Sequence, residues 1–255
     1  MDDFKTAEEF KNGCGYEIEG VWYPRVTRIL EIKAKPALYR FYGKVSSFAE
    51  GERIKNNSAV EGTLIHETAE KIFLNQPVEI PESIAPSIDA LKEFMSEKKI
   101  QVDPEYVEAR LINYEHRYAG TLDAIALIDG KLGVLDIKTS QEIYRDYNLQ
   151  TSAYLVAMKD DVKGLETRWI LRIDQSQPCL FCGGLLRTKG GRPQVKIQWN
   201  NPLMRACRHE WGAMQGHVEL KESPFWQEDF NAFLGAKKLW EWENAEWLKK
   251  VGYLK

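Results

Sequence analysis

Apolar residues recur every three or four positions in several stretches of the chain, which is the spacing that places them on one side of a helix. Residues 62–74 follow it, with Ile65, Ala69 and Phe73 on the apolar side. The same kind of pattern predicts further helices over residues 87–99, 148–159 and 229–250.

Between the second and third of these helices the pattern changes to short β-rich runs. They predict strands over residues 106–113, 118–128 and 131–138. Asp129-Gly130 lies between the last two strands and is a strong hairpin signal. Residues 169–174 predict one more apolar strand after the third helix. Strands followed by a helix and another strand favour an α/β fold with a mixed central sheet flanked by helices.

The composition is that of a folded protein. Hydrophobic residues make up 44% of the 255 positions and charged residues 29%, which supports a buried core within a single domain, residues 1–255. No apolar run approaches the ~18 residues that a membrane span needs, so no membrane partner is expected. The acidic residues 1–5 lack the apolar segment of a secretory signal, and a cytoplasmic location is expected.

The net charge of −3 decides little about nucleic-acid binding. A nuclease gathers carboxylates around cations and places lysine and arginine locally. One groove can therefore be basic on an acidic chain.

The segment that carries chemistry contains Asp123 and, after twelve further residues, Asp136-Ile137-Lys138. Two strands joined at residues 129–130 can place the two aspartates side by side. Alternate residues of a strand share a face, so Asp136 and Lys138 point the same way and Ile137 points into the core. Two carboxylates beside a lysine predict a divalent cation site, because hard oxygens bind Mg²⁺ and phosphate completes its shell. The alternative is that this segment has no catalytic role and consists of two ordinary surface carboxylates and a lysine in a salt bridge.

Three further features are individually unremarkable and gain weight only together. His66 lies in the first predicted helix, and Glu108 lies on the strand that precedes the Asp123 segment. Gln150 and Tyr154 are four positions apart and share a helix face.

These motifs, in this order, resemble the PD-(D/E)XK nuclease superfamily in its RecB-like branch. The order is G-x-x-x-H, E, G-x-x-D, D-x-K-T and Q-x-x-x-Y, at Gly62–His66, Glu108, Gly120–Asp123, Asp136–Thr139 and Gln150–Tyr154. The likeness extends to mitochondrial genome maintenance exonucleases and their phage relatives. It implies a restriction-endonuclease-like core and a Mg²⁺- or Mn²⁺-dependent deoxyribonuclease in a bacterial or phage-infected cell. The implied activity is exonucleolytic, on DNA with a free single-stranded end.

The resemblance also implies a role for each motif residue. Asp123, Asp136 and the Ile137 carbonyl would be metal ligands, and His66 would complete the metal shell. Lys138 would be the catalytic lysine. Glu108 would be a strand carboxylate near the metal, and Gln150, Tyr154 and Thr139 would orient the site or contact DNA. The alternative is a catalytically silent DNA-binding accessory in recombination or packaging, whose protein partners the sequence does not identify.

Residues 177–216 differ in composition from the rest of the chain, because they hold three of the four cysteines. They are expected to form a small insertion of the zinc-ribbon type. Cys179-x-x-Cys182 is typical of a zinc knuckle, and Cys207 and His209 would supply the other two ligands of a structural Zn²⁺. One alternative is an iron–sulfur cluster of a RecB-type nuclease, held by Cys14 with the three later cysteines. Another is that the thiols bind no metal. The segment also carries cations that could reach DNA phosphates, namely Arg187, Lys189, Arg192 and Lys196.

Overall fold

The computed structural model describes residues 4–255. Met1, Asp2 and Asp3, on which part of the expectation about the N-terminal segment rests, lie outside the described residues. Among residues 4–255, no helix combines the length and apolar character needed to cross a bilayer.

The secondary structure alternates between helices and mostly short strands. The helices are α1 (Ala7–Cys14), α2 (Val26–Ile29), α3 (Pro36–Tyr42), α4 (Phe48–Phe73), α5 (Ala85–Lys98), α6 (Tyr147–Met158), α7 (Pro202–Ala206), α8 (Gln227–Glu243) and α9 (Ala245–Lys250). The strands are β1 (Gly15–Ile18), β2 (Val21–Pro24), β3 (Gln101–Val102), β4 (Arg110–Asn113), β5 (Tyr118–Thr121), β6 (Ala124–Ile128), β7 (Lys131–Lys138), β8 (Leu165–Pro178), β9 (Leu185–Arg187), β10 (Gln194–Lys196) and β11 (Gln215–Glu222).

A mixed seven-stranded sheet forms the centre of the fold. Its order is β10-β9-β8-β7-β6-β3, and β11 pairs with β8. β7 and β8 run parallel, connected through α6, whereas the other pairs are antiparallel. The predicted α/β fold with a mixed central sheet is confirmed.

Helices cover both faces of this sheet, as the sequence predicts. Alternate residues of β6 and β7 enter two different cores. Ile125 and Val134 pack with apolar residues of α6 and α8, whereas Ala126 and Leu135 pack with those of α4 and α5. The tight turn between the strands has positive φ at both central residues, 50° at Asp129 and 78° at Gly130, as the hairpin signal predicts.

The predicted strand over residues 118–128 is wrong in one respect, because it is broken at Leu122 and Asp123. β5 pairs with β4 in a separate two-stranded sheet, while β6 joins the central sheet. Leu122 and Ile125 both belong to one core although they are three positions apart. An uninterrupted strand would place them on opposite faces, so the chain must turn between them.

Two helix boundaries also differ from the prediction. α4 begins at Phe48, where the Ser47 hydroxyl accepts the Glu50 N–H, rather than at residue 62. The predicted helix over residues 229–250 is interrupted at Asn244, whose side-chain amide donates to the Trp240 carbonyl at 2.8 Å. Asparagine side chains compete in this way with continued helical hydrogen bonding.

A buried arginine joins the sheet to the C-terminal helices. Arg168 in β8 is 0% exposed. Its guanidinium donates to the carbonyls of Asn148, Ser223 and Phe225 at 2.8–2.9 Å and to Asp229 Oδ2 at 2.8 Å. One side chain therefore holds β8, the start of α6, the segment after β11 and the start of α8 together.

We predict that Arg168→Met lowers the free energy of unfolding by about 3–5 kcal/mol, because it leaves the Asp229 carboxylate and three carbonyls without their donor. Urea denaturation measures the change. Lys131→Met is the matched control, since it removes an exposed ion pair with Glu222 and should cost less than about 1 kcal/mol. Equal losses in the two variants would contradict this role for Arg168.

Candidate functional site

Asp136 is the centre of the candidate site. It lies near the end of β7 and is 0% exposed, while its neighbour Ile137 packs into the opposite core. Lys138 shares its face, and Lys138 Nζ lies 2.7 Å from Asp136 Oδ2. Burial, together with the negative charge of Asp123, raises the pKa of Asp136 to about 6 although the lysine opposes the shift.

Asp123 lies beside this pair, in the break between β5 and β6. Its Oδ2 accepts the Ile137 N–H at 2.6 Å. This hydrogen bond fixes the Asp123 carboxylate against the backbone near the end of β7. Burial raises the pKa of Asp123 as well, with Lys138 acting in the opposite direction. Two carboxylates thus face one lysine.

Gln150 connects the members of the cluster. Its amide nitrogen donates to Asp136 Oδ1 and to the Tyr154 hydroxyl, each at 3.0 Å. Its carbonyl oxygen accepts from Lys138 Nζ at 3.2 Å. The spacing of Gln150 and Tyr154 on one face of α6 therefore serves to hold Asp136 and Lys138 in place.

His66 and Glu108 lie at the edge of this cluster. His66 Nδ1 is 3.9 Å from Asp123 Oδ2, and burial together with the positive charge of Lys138 lowers the pKa of His66 to about 4. The ring is therefore neutral at pH 7 and able to act as a ligand.

The placement of Glu108 on a strand is wrong. Glu108 precedes β4 in the left-handed region, with φ of 52°, and its N–H donates to the Asp123 carbonyl at 3.1 Å. The turn brings Glu108 to the Asp123 segment without a strand pairing. Partial loss of water and the charges of Asp123 and Glu70 raise the pKa of Glu108 to about 7.

Two motif glycines allow the elements around the site to pack closely together. A Cβ on Gly120 would lie 2.7 Å from Tyr154 Cε1, and one on Gly62 would lie 2.8 Å from Thr139 Oγ1. Both distances are shorter than real Cβ contacts. Glycine at these positions therefore lets β5 approach α6 and lets α4 approach the end of β7.

A broad groove with a volume of about 1260 Å³ opens beside the cluster, and His66, Lys138 and Thr139 line it. Among residues 4–255, its lining contains six lysines and four arginines but a single carboxylate, Asp146. The aromatic rings of Phe41, Tyr144 and Tyr147 also line it. A chain of net charge −3 thus carries one strongly basic concave surface.

Several of these cations are available to a ligand. Lys33 pairs with Asp146 at 2.8 Å. Within residues 4–255, no ion pair involves the side chains of Lys35, Arg40, Lys44 or Arg145. Half of these ten lysines and arginines come from residues 33–55, which the sequence analysis did not assign to the site. The interleaving of lysine, arginine and aromatic residues there is the signal that could have identified it.

A second cluster lies in the segment between β8 and β11. One ligand atom each from Cys179, Cys182, Cys207 and His209 can be chosen so that all four lie within 4.8 Å of one another. Cys179 Sγ is 3.8 Å from Cys207 Sγ, and Cys182 Sγ is 3.4 Å from His209 Nδ1. This Cys₃His cluster could hold a metal ion such as Zn²⁺.

Cys14 is not part of that cluster. It lies at the end of α1, where it is buried with Phe10 and Trp22. The set of four cysteines that the iron–sulfur alternative requires is therefore not assembled. The physical reason is that α1 packs against the α8–α9 side of the sheet, whereas the Cys₃His cluster follows the end of β8.

The boundaries of the predicted insertion, residues 177–216, need correction. Gln177 and Pro178 still belong to β8 and pair with β9, while β11 begins at Gln215. The excursion therefore covers residues 179–214. Its strands β9 and β10 extend the central sheet.

We predict that Gly62→Ala fails to give the stabilisation that alanine normally brings to a helix. Gly235→Ala in α8, where a Cβ would have no neighbour within 4 Å, should raise the free energy of unfolding by about 0.5–1 kcal/mol. Gly62→Ala should lose this gain through its contact with the Thr139 hydroxyl. Urea denaturation of Gly62→Ala in a Thr139→Ala background should recover it, and a gain that does not depend on Thr139 would contradict the close approach.

The sequence matches no protein-family model and no curated protein. One similar solved structure is the crystal structure of SSO0001, with a TM-score of 0.36 and 13% sequence identity, over 84% of this chain and 74% of that chain. Similarity at this level establishes neither a fold family nor an activity.

Proposed function

We propose that this protein is a metal-dependent nuclease of the PD-(D/E)XK type, with a restriction-endonuclease-like core, that hydrolyses phosphodiester bonds of DNA. The observation that carries the proposal is the ion pair between the buried Asp136 and the partly exposed Lys138 at the end of β7. Asp123 lies beside the pair, and Lys138 lines a groove rich in lysine and arginine.

Excess negative charge at the cluster supports a divalent cation there. Asp136 Oδ2 is buried and, among residues 4–255, receives no well-aligned hydrogen bond, although Lys138 Nζ lies nearby. In the proposal Asp123, Asp136, the Ile137 carbonyl and the neutral His66 hold Mg²⁺ or Mn²⁺, with Glu108 close by. The bound cation supplies Lewis-acid polarisation of the scissile phosphate.

Lys138 has the surroundings that a catalytic lysine needs. Despite burial, the negative charges of Asp136 and Asp123 raise its pKa, so the ammonium is charged at neutral pH. Asp136 and Gln150 fix its Nζ from two directions. A fixed positive charge of this kind stabilises negative charge that develops on the phosphate, or positions the attacking water.

The basic groove supports nucleic acid as the substrate. Its unpaired lysines and arginines can neutralise phosphates, and its tyrosine and phenylalanine rings can stack on bases. Preference for DNA with a free single-stranded end rests on the resemblance alone. Thr139 and Tyr154 are proposed to orient the site beside the scissile phosphate.

Zn²⁺ is the metal that we propose for the Cys₃His cluster. Cys179, Cys182, Cys207 and His209 would hold the ion, and three cysteines with one histidine are a ligand set of structural zinc sites. Backbone hydrogen bonds from Leu180 to Glu210 and from Gly212 to Pro178, both at 2.9 Å, hold the two ligand-bearing segments together.

We predict that the wild-type protein cleaves linear single-stranded DNA in Mg²⁺ and not in EDTA. Asp136→Asn and Lys138→Met should each lower the rate by about 10³-fold or more, because the metal and the fixed positive charge act on the transition state. Asp129→Asn and Lys131→Met, at the far end of the same hairpin, are the matched controls and should keep the wild-type rate.

The comparison of linear with circular and of single- with double-stranded DNA tests the requirement for a free end. Efficient cutting of a closed single-stranded circle would overturn the exonuclease assignment. DNA binding without cleavage in Mg²⁺ or Mn²⁺ would favour the silent DNA-binding accessory.

We predict that Mg²⁺ stabilises the fold more at pH 8 than at pH 5. Folding raises the pKa of Asp136 to about 6, so the folded protein holds this proton more tightly than the unfolded chain does. The resulting contribution to the free energy of unfolding is complete below the pKa of Asp136 in the unfolded chain, and it is lost as the pH rises through 6. A cation that binds the ionised carboxylate compensates for this loss only at the higher pH. Thermal melts in Mg²⁺ and in EDTA measure the increment in Tm. Asp136→Asn should remove its pH dependence, and an equal wild-type increment at both pH values would count against the cation site.

A further inference from the structure

The Cys₃His cluster leads directly into β9. The Cys179 N–H donates to the Gly184 carbonyl at 2.7 Å, and the Gly184 N–H donates to Cys182 Sγ at 3.4 Å. β9 begins at the next residue, Leu185, which pairs with Pro178 of β8. The position of β9 is therefore set by the same short turn that carries two of the candidate metal ligands.

The other end of β9 reaches the candidate active site. Arg187 Nε donates to both oxygens of the buried Asp174 at 2.8 and 2.9 Å, and Arg187 Nη2 donates to the Thr139 carbonyl at 3.1 Å. Lys189, two residues further on, donates to the same carbonyl at 2.7 Å. Thr139 directly follows Lys138, so both cations bind the peptide unit between Thr139 and Ser140, immediately after the end of β7.

Two cations that donate to one carbonyl, that of Thr139, need further contacts to hold them together. Arg187 and Lys189 repel each other, and burial together with the charge of Arg187 lowers the pKa of Lys189 to about 8. Glu61 and Asp174 offset part of this repulsion, Asp174 through its ion pair with Arg187. Beyond Lys189, the Gly190 N–H donates to Glu61 Oε2 at 3.5 Å, and before Arg187 the turn at Cys179–Gly184 sets the start of β9. That turn is therefore the anchor at the near end of the strand.

We propose that a metal ion at the Cys₃His cluster anchors β9, so that Arg187 and Lys189 clamp the Thr139 carbonyl and hold Lys138 against Asp136. Arg187 and Lys189 are then positioning residues as well as lining residues of the groove. The clamp can exist whatever the protein does, and only its effect on catalysis rests on the proposed nuclease function.

Hydrogen exchange of the peptide that spans residues 136–141 tests the clamp without any substrate. The protein is purified without added metal, its zinc content is measured, and exchange is followed before and after zinc removal by a chelator. Arg187→Leu and Lys189→Met are compared with Lys196→Leu, a cation of the same segment that pairs with Glu142 instead of the Thr139 carbonyl. Lys189→Met keeps the test valid if Arg187→Leu fails to fold.

Exchange should rise about tenfold in the zinc-free protein and in both clamp variants, and should stay at the wild-type rate in Lys196→Leu. Addition of Zn²⁺ should restore protection in the stripped wild-type protein. Unchanged exchange in Arg187→Leu and Lys189→Met would overturn the clamp, and so would a folded protein that neither contains nor binds zinc.

Kinetics on linear DNA separate the clamp from a simple phosphate contact. Arg187→Leu should lower kcat, whereas Lys131→Met, at the far end of the β6–β7 hairpin, should leave both kcat and KM unchanged. A change confined to KM in Arg187→Leu, with normal exchange, would reduce Arg187 to a groove contact. A wild-type protein that cleaves nothing would defeat the proposed function, and hydrogen exchange would still decide the clamp.

Discussion

A carboxylate without contact to water has to be given positive charge and hydrogen-bond donors, and Asp136 imposes this requirement on the whole fold. Lys138 supplies the charge and Gln150 the donor, so the end of β7 and the start of α6 must lie next to each other. The parallel pairing of β7 with β8, with α6 as the crossover, brings this about. The pKa of Asp136 nevertheless stays raised, because its loss of contact with water outweighs the nearby positive charge of Lys138.

Positive and negative side chains are concentrated in different parts of this molecule, and the net charge of −3 does not reveal this separation. The carboxylates around Asp136 and the cations of the groove lie on adjoining surfaces, separated by the residues 137–139. In the proposed function, the cations of the groove would attract a nucleic acid, and the aromatic rings would add contacts that do not depend on its base sequence.

The sequence predicted the parts of the fold that depend on local patterns. The Asp129-Gly130 turn, the shared face of Asp136 and Lys138 with Ile137 in the core, and the shared helix face of Gln150 and Tyr154 follow from period and turn chemistry. The break at Leu122 could not be predicted, because it depends on which core Leu122 and Ile125 share. The left-handed turn at Glu108 depends in the same way on the distant Asp123 carbonyl. The hydrogen bonds of Arg187 and Lys189 to Thr139 join residues about fifty positions apart, and no local signal marks them.

Arg168 has a consequence for how the chain is made. Its four acceptors lie on both sides of it in sequence, at positions 148, 223, 225 and 229. During synthesis β8 leaves the ribosome before three of them, so its guanidinium cannot yet be buried with its hydrogen bonds satisfied. The complete set of hydrogen bonds around Arg168 can therefore form only after the start of α8 has been synthesised. Until then, burial of Arg168 in the sheet would leave its positive charge without its carboxylate partner Asp229.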